Sequence, residues 1–107
     1  MTIIPATGQD AEYLSNLTFR SKAHWGYSKE QMEAWREDLT ITGDYIAENH
    51  VYLVKDQQQV PGYYSFFEES EKVVKLDNLF VDPDFIGQGF GRTLMDDFIN
   101  RSRTLKF

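Results

Sequence analysis

Three glycines alternate at Gly87, Gly89 and Gly91, directly before an amphipathic run, and this spacing is the strongest chemical signal in the chain. Residues without Cβ let successive backbone N–H groups converge on one point and let a ligand approach closely. A helix starting there adds roughly half a positive charge from its dipole. Together these make an anion site suited to a pyrophosphate, although a tight turn alone would use the same glycines. Two familiar nucleotide-binding loops fail the spacing test. A Walker A loop needs Gly-Lys-Ser/Thr at the helix start, and the chain has Gly91-Arg92-Thr93. A dinucleotide fingerprint needs Gly-x-Gly-x-x-Gly and an acidic residue about 20 positions later. Here the third glycine comes early, and Phe107 ends the sequence first.

Other reactive groups are sparse. Cysteine is absent, which removes thiol catalysis, disulfides and Cys-built zinc sites. His24 and His50 lie far apart without ligand-like spacing, so no metal centre is expected. Asn78 sits among apolar neighbours and is expected to find hydrogen-bond partners inside. Asp96 and Asp97 read as the solvated face of a helix.

The elements that must position these groups follow from hydrophobic period. Thr2–Ala6 reads as a short strand. Asp10 is placed to cap a helix through about Ala23, with Ala11, Leu14, Leu17 and Ser21 on one face. Ser28 and Gln31 form a capping-box signature before a second helix carrying Met32, Trp35 and Leu39. His50–Lys55, Val60–Glu68 and Val73–Val81 read as strands, the first two joined through the turn Asp56-Gln57-Gln58-Gln59. In the last strand, strict alternation puts Lys75, Asp77, Leu79 and Val81 on one face and Val74, Leu76, Asn78 and Phe80 on the other, a parity that a bulge would change. Pro83 ends that strand. The glycine turn then opens a helix through about Arg103, with Phe90, Leu94, Met95, Phe98 and Ile99 as its core face. Thr104–Phe107 reads as a strand just beginning. The order β-α-α-β-β-β-α-(β) is an α+β pattern with a hairpin-rich central sheet.

Composition fits one soluble domain over residues 1–107: 107 residues, 41% hydrophobic and 26% charged. The net charge of −6 argues against broad nucleic-acid binding. No apolar run approaches the roughly 18 residues of a membrane span, and no secretory signal is evident, so a cytoplasmic protein is expected.

The segment Leu79-Phe80-Val81-Asp82-Pro83 followed by Ile86-Gly87-Gln88-Gly89-Phe90-Gly91 resembles the GNAT family of acyl-CoA-dependent N-acyltransferases. In that family a strand ending in apolar-Val-x-Pro leads into Arg/Gln-x-x-Gly-x-Gly/Ala at a helix start. Ile86 departs from the pattern, at a position usually held by Arg or Gln. The resemblance implies a mixed, mainly antiparallel sheet flanked by helices, here lacking the usual C-terminal strands and helix. It also implies acetyl-CoA as co-substrate and an amine of a small molecule or protein as acceptor. The pantetheine arm would pair along Leu79, Phe80 and Val81, one of whose N–H groups would polarise the thioester carbonyl. The pyrophosphate would rest on Gly87, Gln88, Gly89, Phe90, Gly91 and Arg92, with Asp82 and Asp84 pointing away. Asp77 would be the nearest carboxylate to serve as general base, with Glu68 second; both also read as solvated or ion-paired groups. Trp25 and Tyr27, with His24 between the first two helices, would line the acceptor pocket, and Tyr64 or Tyr63 would extend that wall. An early end to the sheet would leave the Val73–Val81 edge open to self-association as a homodimer. The alternative expectation is a catalytically silent domain of the same fold that binds CoA or a protein partner.

Overall fold

The computed structural model describes residues 1–106. Its elements are β1 (Thr2–Pro5), α1 (Ala11–Ala23), α2 (Lys29–Ala34), α3 (Gly43–Glu48), β2 (His50–Asp56), β3 (Gln59–Ser70), β4 (Val73–Val81) and α4 (Phe90–Lys106), with short 3-10 turns at Gly8–Asp10 and Pro83–Phe85. The strands form one antiparallel sheet in the order β1-β2-β3-β4, so β4 is an edge strand. None of the described helices is long and apolar enough to cross a membrane.

Each face of the sheet carries its own core. On one side Leu14 and Leu17 of α1 meet Ile41, Ile46 of α3, Val51, Leu53 and Tyr63, with Phe80 packed against them. On the other, Phe90 and Leu94 of α4 meet Val54, Tyr64 and Phe66, with Val74, Leu76, Leu79 and Val81 alongside. The alternation of side chains along a strand explains why the neighbours Tyr63 and Tyr64 belong to opposite cores.

That alternation breaks once in β4. Ser65 pairs with Asn78, but Phe66 pairs with Leu76, so Asp77 is an extra residue in the ladder, a β-bulge. The face assignment expected from strict alternation is therefore corrected. Val74 and Leu76 lie on the α4 side together with Leu79 and Val81, and the parity switches between the two pairs at Asp77. Phe80 faces α1.

Local chemistry accounts for most helix starts. Ser28 Oγ accepts from the Gln31 amide at 3.1 Å and starts α2. Asp10 does not cap α1 with its side chain; it accepts from the Thr7 amide at 2.8 Å, closing the preceding turn. The expected second helix ends at Ala34, short of Trp35 and Leu39. The short α3 went unread in the sequence. Thr42 Oγ1 caps it by accepting from the Tyr45 amide at 3.0 Å. Ser15 of α1 clamps the approach to it, accepting from the Ile41 amide at 2.8 Å and donating to the Ile41 carbonyl at 2.9 Å.

Two expectations about α4 are also corrected. Thr104–Lys106 continues the helix rather than starting a strand, while Phe107 lies outside the described residues. Met95 and Ile99 are 37% and 38% exposed, so the buried stripe is the narrower set Phe90, Leu94 and half-buried Phe98.

β3 and β4 approach closely at Gly62, opposite Val81. A Cβ there would lie 2.7 Å from the Phe80 carbonyl oxygen and 3.1 Å from Leu94 Cδ1, so only glycine lets β3 and β4 approach to this distance.

Candidate functional site

The site begins where β4 runs out. The Asp82 amide donates to the Pro61 carbonyl at 2.7 Å, so the backbone groups of residue 82 turn toward β3. Alternation then directs Phe80 inward as well, in keeping with its carbonyl lying beside Gly62. Leu79 and Val81 are left with their N–H and C=O groups on the open edge. Of the three strand residues expected to meet a ligand through the main chain, Leu79 and Val81 turn their backbone groups away from β3 and Phe80 turns its own toward it.

Asp82 anchors the exit from the strand. It is 6% exposed, accepts from Arg20 Nη2 of α1 at 2.7 Å, and accepts from the Asp84 amide at 3.1 Å. The hydrogen bond it donates to Asp82 raises the Arg20 guanidinium above its already high range. The Asp82 carboxylate is thus neutralised by α1 rather than facing the glycine turn.

The turn itself has the geometry of an anion cradle. Gly87 and Gly89 adopt φ of +88° and +86°, and the space where their Cβ atoms would sit is open. That left-handed backbone is the conformation glycine supplies at no steric cost. Gly91 serves differently: its Cβ position lies 3.6 Å from Val81 Cγ2, which brings the helix start close to the strand end. Thr93 closes the first turn of α4, its amide donating to the Gly89 carbonyl at 3.1 Å. The amides of Phe90, Gly91 and Arg92 therefore have no acceptor within the helix and point along its axis. Phe90 fixes the turn from beneath, buried and edge-on to Phe85 at 5.9 Å. Gln88 and Arg92 are exposed beside the cradle.

Around the bulge a second polar group assembles. The Tyr45 hydroxyl meets the Asp77 carboxylate in a short hydrogen bond, lies 2.8 Å from Ser65 Oγ, and accepts from Asn78 Nδ2 at 3.3 Å. Asn78 Nδ2 also donates to Ser65 Oγ at 3.0 Å, the internal partner expected for it. Burial, reinforced by the neighbouring Asp77 carboxylate, pushes the Tyr45 hydroxyl up to about 12. Asp77 itself is exposed. The sequence named Asp77 as a candidate but not Tyr45, whose signal was the spacing of the Thr42 cap to Tyr45.

The remaining candidates separate in space. Trp25 and Tyr27 stand after α1, 70% and 44% exposed. Tyr27 packs edge-on against Trp35 at 4.7 Å, and Lys22 Nζ lies 5.1 Å and 5.0 Å from the two ring centres. Tyr27 also lines a cavity of about 390 Å³ with Phe19, Met32 and Glu33. Tyr63 is buried in the α1 core, its hydroxyl bonded to Thr18. Tyr64 belongs to the α4 face, so the structure does not join it to Trp25 and Tyr27. Its hydroxyl donates to Asp97 Oδ2 at 2.5 Å, and Arg101 Nε holds the same carboxylate at 3.1 Å. Asp97 is accordingly half-buried and paired, unlike the solvated residue expected, whereas Asp96 is exposed. Glu68 lies beside His50 Nε2 at 3.2 Å, far along the ladder from Leu79.

No curated protein matches the chain by sequence. Among solved structures, the PaiA N-acetyltransferase of Thermoplasma acidophilum, in complex with coenzyme A, aligns with a TM-score of 0.81 at 18% identity over 96% of this chain. A GNAT family acetyltransferase of Elizabethkingia anophelis with acetyl-CoA bound aligns at 0.68 and 23% identity over 99% of this chain. N-acetylglutamate synthase of Neisseria gonorrhoeae, complexed with coenzyme A and N-acetyl-glutamate, aligns at 0.69 and 18% identity over 97% of this chain. The chain spans 72%, 60% and 23% of those three proteins. At such identities the likeness is one of fold. The family model for the Acetyltransferase (GNAT) family matches residues 12–107, and with nearly the whole chain covered, the chain belongs to that family.

Proposed function

We propose that this domain transfers an acetyl group from acetyl-CoA to an amine. The observation that carries the reading is the continuity of an open strand edge at Leu79 and Val81 with the glycine cradle at the start of α4. The cradle fits the diphosphate of the cofactor: its glycines leave the space open, and the amides of Phe90, Gly91 and Arg92 are unsatisfied by the helix. Arg92 adds a charge-assisted contact. The net charge of −6 does not oppose a polyanion here, because screening beyond about 10 Å leaves local donors in control.

Bound there, acetyl-CoA would supply an acetyl thioester: the C–N bond forms at its carbonyl, the C–S bond breaks, and coenzyme A leaves as a thiolate that takes up the second proton lost by the attacking nitrogen. A main-chain N–H of Leu79 or Val81 aims at the carbonyl oxygen, where charge develops. An ammonium group cannot attack, and Asp77 takes its proton. Trp25 and Tyr27 supply apolar surface to the acceptor. Self-association rests on the open β4 edge below Leu79 and on exposed Val73; a monomer in light scattering at high concentration removes it.

Isothermal titration with acetyl-CoA and a thiol-release assay across an amine panel test the function. Gly89→Asp places a strained side chain and a charge in the cradle, and it should weaken acetyl-CoA binding at least about 100-fold, about 3 kcal/mol. A folded Gly89→Asp chain that binds normally overturns the site. Binding with no thiol release on any amine assigns the domain to the silent alternative.

A further inference from the structure

The hydrogen bonds around the bulge have only one consistent direction. Asn78 Nδ2 can only donate, and it donates to both Ser65 Oγ and Tyr45 Oη. Ionised Asp77 can only accept, so the single proton of Tyr45 points to Asp77. Ser65 must then give its proton to Tyr45, 2.8 Å away. The result is a one-way relay of donors, Asn78 and Ser65 to Tyr45 to Asp77, which polarises the last hydroxyl. Its far end is sealed, since Ser65 is fully buried, whereas Asp77 is exposed. Among the described residues, only Oδ2 of Asp77 accepts a hydrogen bond, and the residue as a whole is exposed.

The surrounding fold holds this hydroxyl in place. Tyr45 is the third residue of α3, set by the Thr42 cap, by the Ser15 clamp on Ile41 and by burial of Ile46. Asp77 projects because it is the extra residue of the bulge. Two separately fixed elements therefore meet at one carboxylate oxygen.

We propose that Tyr45 is a positioning residue that locks the Asp77 carboxylate through Oδ2 and turns Oδ1 toward the incoming amine. The proposal rests on the reading of Asp77 as the base. The high proton affinity of Tyr45 suits it to this task, because the hydroxyl keeps its proton wherever the amine chemistry runs.

Tyr45→Phe retains the ring and its packing and removes only the hydroxyl. It should lower kcat on the order of tenfold while leaving the acetyl-CoA Kd unchanged. In an Asp77→Asn background the same change should cost nothing further, because its effect passes through Asp77. Wild-type kcat in Tyr45→Phe, or the same loss in both backgrounds, overturns the proposal. A second measurement does not need turnover. With ¹³Cζ-labelled tyrosine, the resonance missing from Tyr45→Phe identifies Tyr45, and Asp77→Asn should move its titration down from about 12 toward the ordinary 10.0. An unmoved titration overturns the Tyr45–Asp77 contact whatever the enzyme does. A moved titration together with full activity in Asp77→Asn overturns the role of Asp77 as base and leaves acetyl transfer standing. Absence of thiol release from the wild-type chain falls instead on the function itself.

Discussion

The sheet carries a tyrosine–aspartate pair on each face, and the two pairs are built to opposite ends. Tyr64 and Asp97 lie on the α4 side, where Arg101 adds Nε at 3.1 Å and Nη2 at 3.3 Å to the two carboxylate oxygens. Arg101 also covers the Tyr52 ring at 3.9 Å, and Phe66 stacks on His50 at 4.5 Å beside it. Both carboxylate oxygens of Asp97 have partners there, and the pair closes a stack of rings. Tyr45 and Asp77 lie on the other side with neutral donors behind the hydroxyl and, among the described residues, no cation at the carboxylate. Among the described residues, only Oδ2 of Asp77 accepts a hydrogen bond. The same two side chains are therefore locked by a cation in one place and left exposed in the other, and the arginine is what separates them.

The contrast can be broken in four ways, taken from the largest effect down. Phe66→Ala removes the centre of the α4-side stack and should destabilise the chain by about 3–5 kcal/mol, read from urea unfolding. Asp77→Asn should lower kcat on the order of 100-fold with little change in unfolding midpoint; retention of activity with lost stability would invert the assignment of the two faces. Asp97→Asn should do the reverse, costing about 1–3 kcal/mol by leaving Tyr64 and Arg101 poorly matched, with kcat per folded molecule unchanged. The mildest test is alkaline pH. Tyr45 is raised to about 12, and burial raises Tyr64 too, its bond to Asp97 adding to the effect. For both, the folded state holds the proton more tightly than the unfolded state, so their stabilising effect is complete below about pH 10 and is lost as pH rises through the folded values. Thermal midpoints measured from pH 9 upward should fall, and a flat profile would remove both hydroxyls from the stability account.

Legibility in the sequence followed physical range. Backbone constraints read well because they are local: Pro83 ended β4, and the glycines announced a helix start with its amides exposed. Ser28 capped α2 as its spacing with Gln31 required. Asp77 was reachable as the carboxylate nearest the expected thioester position, but its face was not, because the bulge that turns it follows from pairing with β3 rather than from any residue type. Tyr45 was out of reach for a related reason. Its helix has six residues, too few for a period to show, and its partners lie 20 to 33 positions away. Asp97 misled in the opposite direction: a charged residue on a helix reads as solvated until the tertiary fold brings Tyr64 against it. Met95 and Ile99 fit the periodic stripe of α4, yet the sheet is only wide enough to cover Phe90, Leu94 and part of Phe98.

Gly62 has a consequence for engineering. It never reaches the open rim of the sheet, yet any substituent there would wedge β3 away from the carbonyl of Phe80 and tilt the outer ribbon that bears Leu79 and Val81. The spacing of this edge is thus set from behind. Directed-evolution libraries confined to β4 and the glycine turn would overlook this spacer, whereas a scan of β3 would find it.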